Sequence, residues 1–169
     1  MADIHKLCFP NAWTAETFLD YFDKPEWDGV FGFAVEQELP EHNSRTHNSS
    51  AHNSITQRPF APPLAGFILG RTVYNTNDIL TFAVAPLYQG KGLGRLLLTT
   101  YLDAISCGCL LEVATGNTAA IHLYSTFGFE IIASRREYYD SPDPAMRDAY
   151  VMGRKTKVYE PSLISNKES

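Results

Sequence analysis

Cysteine, long apolar runs and net positive charge are all scarce in this chain. Three cysteines among 169 residues, an odd number with no export signal before them, argue against a disulfide scaffold and favour a reducing cytoplasm as the expected location. No apolar run approaches the roughly 18 residues that a membrane-spanning helix needs. The opening Met1-Ala2-Asp3-Ile4-His5-Lys6 does not have the shape of a signal peptide. Lys and Arg total 14 against 19 Asp and Glu, a formal charge of −5, which disfavours direct binding to nucleic acid or to anionic membranes. With 44% hydrophobic and 20% charged residues, global disorder is excluded. The length fits one domain able to bury a core without staples.

Two helical segments are expected first, a turn at Ala2–Phe9 and a helix at Trp13–Phe22 capped by Thr14, with Phe18, Leu19 and Phe22 on one side. Gly29–Val35 reads as a strand. Leu64–Tyr74 and Ile79–Val84 read as a hairpin around the polar turn Asn75–Asp78. Gly92–Ile105 is the strongest helix, with Leu93, Leu96, Leu97, Tyr101, Leu102 and Ile105 at helical spacing. A short strand at Leu110–Ala114 follows, then a helix at Asn117–Phe127, for which Asn117 suits the cap and Gly128 the left-handed stop. Glu130–Tyr139 and Ala149–Lys155 read as a closing strand pair. The order implies a mixed central sheet flanked by helices, in the α/β (α+β) class. A single domain is expected over residues 1–157, with residues 158–169 as a flexible tail.

One segment stands apart. His-Asn-Ser occurs three times at a spacing of five, at His42, His47 and His52. The segment has almost no apolar side chains to offset the entropy of ordering, so residues 41–58 are expected to be a disordered insertion. A metal site built from the three histidines is disfavoured, because nothing nearby supplies a rigid frame. Cys107-Gly108-Cys109 likewise lacks a partner pair and reads as small apolar side chains at a helix end. No metal is expected.

The chemistry concentrates in Val84-Ala85-Pro86-Leu87-Tyr88-Gln89-Gly90-Lys91-Gly92-Leu93-Gly94-Arg95. A strand runs into a glycine-rich turn and then into a strong helix. Glycines let successive N–H groups converge, and the positive helix end lies beside them, which together make a cradle for a pyrophosphate. Lys91 and Arg95 add charge at its rim. A Walker loop would need Ser or Thr after Lys91, where Gly92 stands. A dinucleotide fingerprint could use Gly90 and Gly92, with Glu112 about 20 residues on, but needs a small residue at Arg95. A ligand-free tight turn is the remaining alternative.

Gln89-x-x-Gly92-x-Gly94 resembles the coenzyme A loop of the GCN5-related N-acetyltransferase (GNAT) superfamily. Leu111-Glu112-Val113, then Asn117-x-x-Ala120-Ile121-x-Leu123-Tyr124 and Gly128-Phe129, resemble the signature of its RimI-type ribosomal-protein alanine N-acetyltransferases. Arg135-Arg136-x-Tyr138-Tyr139, Asp148–Met152 and Cys8–Phe18 are similar to the same subfamily. The resemblance spans Ile4–Lys155 apart from the His-Asn-Ser segment. That fold usually opens with a strand before its first helix; this chain starts within the helix, which leaves the first edge strand without a counterpart.

The resemblance implies roles for individual residues. The backbone of Phe82, Ala83 and Val84 would hold the pantetheine arm and polarise the acetyl carbonyl. Gln89, Gly90, Lys91, Gly92, Leu93, Gly94 and Arg95 would hold the pyrophosphate. Asn117 would meet the coenzyme, although a plain helix cap explains it equally well. Glu112 would be the general base; its alternative is a solvated strand residue, but a charge within Leu110–Val113 is costly unless used or paired. Tyr124 would be the general acid; its alternative is packing, since it shares a helix face with Ala120, Leu123 and Phe127. Tyr138 and Tyr139 would border the acceptor, or serve strand pairing alone. The implied activity is acetyl-CoA-dependent transfer, without an acyl-enzyme, to the N-terminal α-amine of a protein, an alanine-starting ribosomal protein in particular. Acetylation of a small-molecule amine or of a lysine side chain is a rival reading. A non-catalytic acyl-CoA-binding module is another.

Overall fold

In a computed structural model of the chain, residues 1–23, 29–36 and 64–155 are described. The expected disordered insertion and flexible tail lie outside them. Two helices come first, α1 (Ala2–Cys8) and α2 (Ala15–Phe22). Thr14 caps α2 by accepting the Thr17 N–H at 3.1 Å, which satisfies a donor the helix cannot. Then follow β1 (Gly29–Glu36), β2 (Leu64–Val73), β3 (Thr76–Val84), α3 (Leu93–Ala104), β4 (Gly108–Ala114), α4 (Thr118–Thr126), β5 (Glu130–Arg135) and β6 (Ala149–Arg154). They form one mixed six-stranded sheet in the order β1-β2-β3-β4-β6-β5, as the α/β reading expects. Among the described residues no strand precedes α1.

The sheet has a packed core on each face. Ile68, Leu97, Leu98, Tyr101, Leu111 and Val113 join Tyr124 and Met152 under α3 and α4. Ile4 and Phe18 cover Phe67, Leu69 and Ala83 on the other face. A β-bulge lets β3 serve both. Leu69 pairs with Thr81 but Gly70 pairs with Ile79, so Leu80 is an extra residue. Strand side chains alternate faces, and one extra residue reverses the alternation. Ile79 therefore packs with α3, whereas Ala83, which would otherwise share its face, joins the α1 side. Gly70 is required beside the bulge, because a Cβ there would overlap the Tyr101 hydroxyl. That hydroxyl donates to Asn77 Oδ1 at 2.7 Å.

Two strand boundaries differ from the sequence reading by three residues or more. Strand β3 begins at Thr76 rather than Ile79, because Asn77 is fully buried and hydrogen-bonded beneath the sheet, to Arg71 O at 3.0 Å as well as to Tyr101. Strand β5 ends at Arg135 rather than Tyr139. Glu137 takes φ +50 and its N–H turns to Asp148 Oδ1 at 2.9 Å, so the chain leaves the sheet there.

Candidate active site

Strands β3 and β4 are parallel neighbours for only four residue pairs, from Thr76–Gly108 to Ile79–Leu111. Beyond them β3 runs on to Val84 and β4 to Ala114 without pairing to each other. The two strands splay into a wedge at their C-terminal ends, which is where open α/β sheets place ligands. The bulge at Leu80 sits where the splay begins. Phe82, Ala83 and Val84 lie along one side of the wedge, and Glu112, the first β4 residue past the last pair, lies on the other.

The glycine loop stands at the mouth of this wedge. A short 3₁₀ turn at Pro86–Tyr88 leads to Gly90 at φ +72 and Gly92 at φ +83, and α3 starts at Leu93. Both glycines hold backbone that side-chain-bearing residues rarely adopt. Nothing lies within 4 Å of where a Cβ would sit on either, so the space above the loop is open and a pyrophosphate could approach. Gly94 differs: it faces inward, and a Cβ would meet Leu123 at 3.4 Å. The Gln89 side-chain amide donates to Val84 O at 2.9 Å and ties the loop to the end of β3. Lys91 and Arg95 are exposed at the rim, over the rings of Tyr88 and Phe127 at 5.4 Å each. Asn117 caps α4, accepting the Ala120 N–H at 3.1 Å.

On the α1/α2 face lies a cleft of about 470 Å³, a size suited to a small ligand or a peptide end. Trp13 and Tyr21 form one wall, their rings stacked 4.6 Å apart. Leu80, Leu110 and Glu112 lie on the sheet, and Arg135 and Tyr138 close the far side. Two ion pairs cross it, Arg71–Asp78 at 3.2 Å and Arg135–Glu112 at 3.3 Å. The aromatic wall is fixed from behind. His5, buried in α1, accepts the Trp13 N–H on Nδ1 at 3.0 Å and stacks on Phe9 at 4.2 Å. Burial holds its imidazole neutral, lowering its pKa to about 4.

The sheet separates the two expected catalytic side chains. Glu112 faces the cleft, whereas Tyr124 is buried on the α3/α4 side between Phe82 and Phe129, at 6.3 and 5.8 Å. Burial raises the Tyr124 pKa, and proximity to Tyr139 raises it further. Tyr139 is itself raised by burial, then by Tyr138 and by Glu112. The Tyr138–Tyr139 pair, with its rings edge-to-face at 4.9 Å, thus lies electrostatically between Glu112 and Tyr124. Sequence reasoning gave no role to Arg71, Asp78 or Tyr21, nor to Arg135 as a partner of Glu112. Arg71 and Asp78 meet across the β2–β3 hairpin, whereas Tyr21 and Arg135 reach the cleft from elements far away in the chain.

The model of the acetyltransferase (GNAT) family matches residues 1–129. This chain belongs to that family. The N-alpha-acetyltransferase RimI of Mycobacterium tuberculosis is 44% identical over 87 residues, 51% of this chain and 53% of that protein. The ribosomal protein bS18-alanine N-acetyltransferase of Escherichia coli K12 is 37% identical over 93 residues, 53% of this chain and 62% of that one. The chain thus spans only about half to three-fifths of the length of these curated relatives. The crystal structure of the Escherichia coli ribosomal-protein-S18-alanine N-acetyltransferase superposes with a TM-score of 0.69 at 25% identity, covering 96% of this chain and 89% of that one. The GNAT fold expected from the sequence is therefore the fold observed. The co-substrate of the family, acetyl-CoA, fits the residues present: an open glycine cradle, a twelve-residue helix behind it and a wedge with an unpaired strand edge.

Proposed function

We propose that this GNAT chain transfers the acetyl group of acetyl-CoA to the α-amine at the N-terminus of a protein, and that the acceptor is a ribosomal protein beginning with alanine. The observation that carries the reading is the wedge between β3 and β4, open on one face to the Gly90–Gly94 loop and on the other to the cleft that holds Glu112. A thioester seated in it would meet its donor and acceptor machinery from opposite sides. The acceptor class is supported by the activities named for the bacterial relatives.

In this reading the loop N–H groups and the α3 N-terminus bind the pyrophosphate. The unpaired edge of Phe82–Val84 orients the pantetheine arm and stabilises the oxygen charge that develops. Glu112 takes a proton from the amine. A terminal α-amine has a reference pKa of about 7.7–8.0 against about 10.4 for lysine, so one carboxylate suffices. The amine nitrogen attacks the thioester carbonyl, a C–N bond forms and the C–S bond breaks. Tyr124 returns a proton to the departing sulfur; its raised pKa keeps the phenol protonated beforehand, as an acid must be. Tyr138 and Tyr139 border the amine and the first peptide bonds.

A peptide panel with varied N-termini tests this reading. Alanine-starting peptides should be acetylated fastest. Acetyl-CoA binding without acetylation of any N-terminal peptide would replace the reading with a small-amine or binding-module one.

A further inference from the structure

Glu112 is already occupied. Arg135, the last residue of β5, places Nη2 at 3.3 Å from Glu112 Oε1, and the two side chains are 54% and 31% exposed. The guanidinium also lies 5.3 Å from the centre of the Tyr138 ring. We propose that Arg135 occupies Glu112 in place of the acceptor's ammonium group and is displaced from the carboxylate toward solvent when a cationic amine enters the cleft. This rests on the reading of Glu112 as the base that receives the acceptor amine.

Three observations argue for exchange at this carboxylate. First, the cleft holds a second carboxylate, Asp78, but its partner Arg71 comes from an interior strand, and both members of that pair are only 32% exposed. Second, Arg135 comes from an edge strand whose every residue is exposed, so its side chain can swing into water at little cost. Third, the guanidinium already rests over the Tyr138 ring, so Glu112 is not its sole favourable contact. Ammonium and guanidinium cannot comfortably share one carboxylate, since two like charges at that separation repel. Their exchange conserves the charge balance of a cleft that otherwise holds Arg71, Asp78, Tyr21 and Tyr138.

The consequence is a choice of substrate class. An aliphatic amine that arrives protonated exchanges cation for cation and surrenders its proton to the carboxylate it has uncovered. An amine that is neutral in solution, such as an arylamine, has no charge with which to displace the guanidinium. The carboxylate selects the cation, and Arg135 is then a positioning residue that competes with the cationic acceptor for it.

The test is Arg135→Gln, assayed with an alanine-starting peptide. The acceptor KM should fall by about 2–5-fold, the range expected for an exposed ion pair, with kcat within about twofold of wild type and the acetyl-CoA Kd unmoved. Arg135→Lys should restore the wild-type KM. In a Glu112→Gln background the Arg135 substitution should no longer change peptide Kd. A peptide carrying an aminobenzoyl terminus, neutral at the assay pH, should bind the Arg135→Gln and wild-type proteins alike. If Arg135→Gln folds poorly, Arg135→Met keeps the aliphatic stem and should give the same fall. An unchanged KM would make the pair a surface contact, and a raised KM would make Arg135 a direct acceptor ligand; either overturns the proposal. Failure of the underlying reading is separate, because it would appear as wild-type kcat in Glu112→Gln alone.

Discussion

The two sides of the wedge are built in opposite ways. The donor side is one uninterrupted stretch, from Val84 through the glycine loop to Arg95, and its shape is set by backbone angles at Gly90 and Gly92. The acceptor side gathers Trp13, Tyr21, Asp78, Glu112, Arg135 and Tyr138 from four separate elements and two loops, and its shape is set by packing and charge. A loop fixed by local angles should tolerate loss of distant contacts. A cleft assembled at long range should not, and its parts should fail together.

The largest expected separation of the two sides is kinetic. Glu112→Gln and Tyr124→Phe should each lower kcat by roughly 10²–10⁴ while leaving acetyl-CoA affinity largely intact. The Gln variant should recover in part at high pH, where solvent deprotonates the α-amine, and the Phe variant should not. Steady-state rates with alanine-starting peptides, beside acetyl-CoA titrations, check both. Wild-type rates in both variants would remove these residues from the chemistry.

Next in size is an acid response confined to the acceptor wall. Because burial lowers the pKa of His5 to about 4, the unfolded chain binds more protons than the folded one between pH 6.5 and 4. The contribution is fully present above about pH 6.5 and is lost as pH falls toward 4, by up to about 3 kcal/mol. Protonation also ends the acceptance of the Trp13 N–H. Urea unfolding at several pH values should show the slope, and His5→Gln, which cannot titrate, should flatten it. A wild-type slope in that variant would locate the acid sensitivity elsewhere.

A smaller and opposite effect belongs to the loop. Gly92→Val forces a β-branched residue to φ +83 and should raise the acetyl-CoA Kd at least about tenfold, or about 1.4 kcal/mol, with the acceptor KM little changed. Isothermal titration would show it; an unchanged Kd would mean that the loop does not meet the coenzyme. The smallest effect has the reverse sign. Thr81 Oγ1 is the buried side-chain oxygen among the described residues that has no hydrogen-bond partner. Thr81→Val removes that burden at nearly constant shape and should stabilise the fold by about 1 kcal/mol, read as a raised Tm.

This asymmetry also explains what could be read before any coordinates. Turn and cap chemistry is local, so the loop glycines, the Thr14 cap, the Asn117 cap and the left-handed Gly128 were all visible in the sequence. Asn77 misled because a polar residue after a turn looks solvated; its partner Tyr101 lies 24 residues away. The bond from Gln89 to Val84 O is not legible in the loop motif, because a motif gives spacing but not hydrogen-bond partners. The bulge left no local mark, since it is defined by pairing with β2. Glu112 was legible as a charge in an apolar strand; its guanidinium partner, on the far edge of the sheet, was not.

The four pairs joining β3 to β4 have a mechanical consequence. Among the described residues they are the only ladder between the β1-β2-β3 and β4-β6-β5 halves, with side-chain contacts such as those of α3 and the Phe82–Tyr124 pair adding glue across the join. A chain severed between Ile105 and Gly108 would cut no strand or helix. It would yield two pieces whose reassembly depends on a short seam. A molecule lying in the splay would touch both pieces and act as an adhesive, so that complementation of the fragments becomes a direct gauge of occupancy without any turnover. The gap that accommodates the thioester would then also be the hinge line along which the protein comes apart.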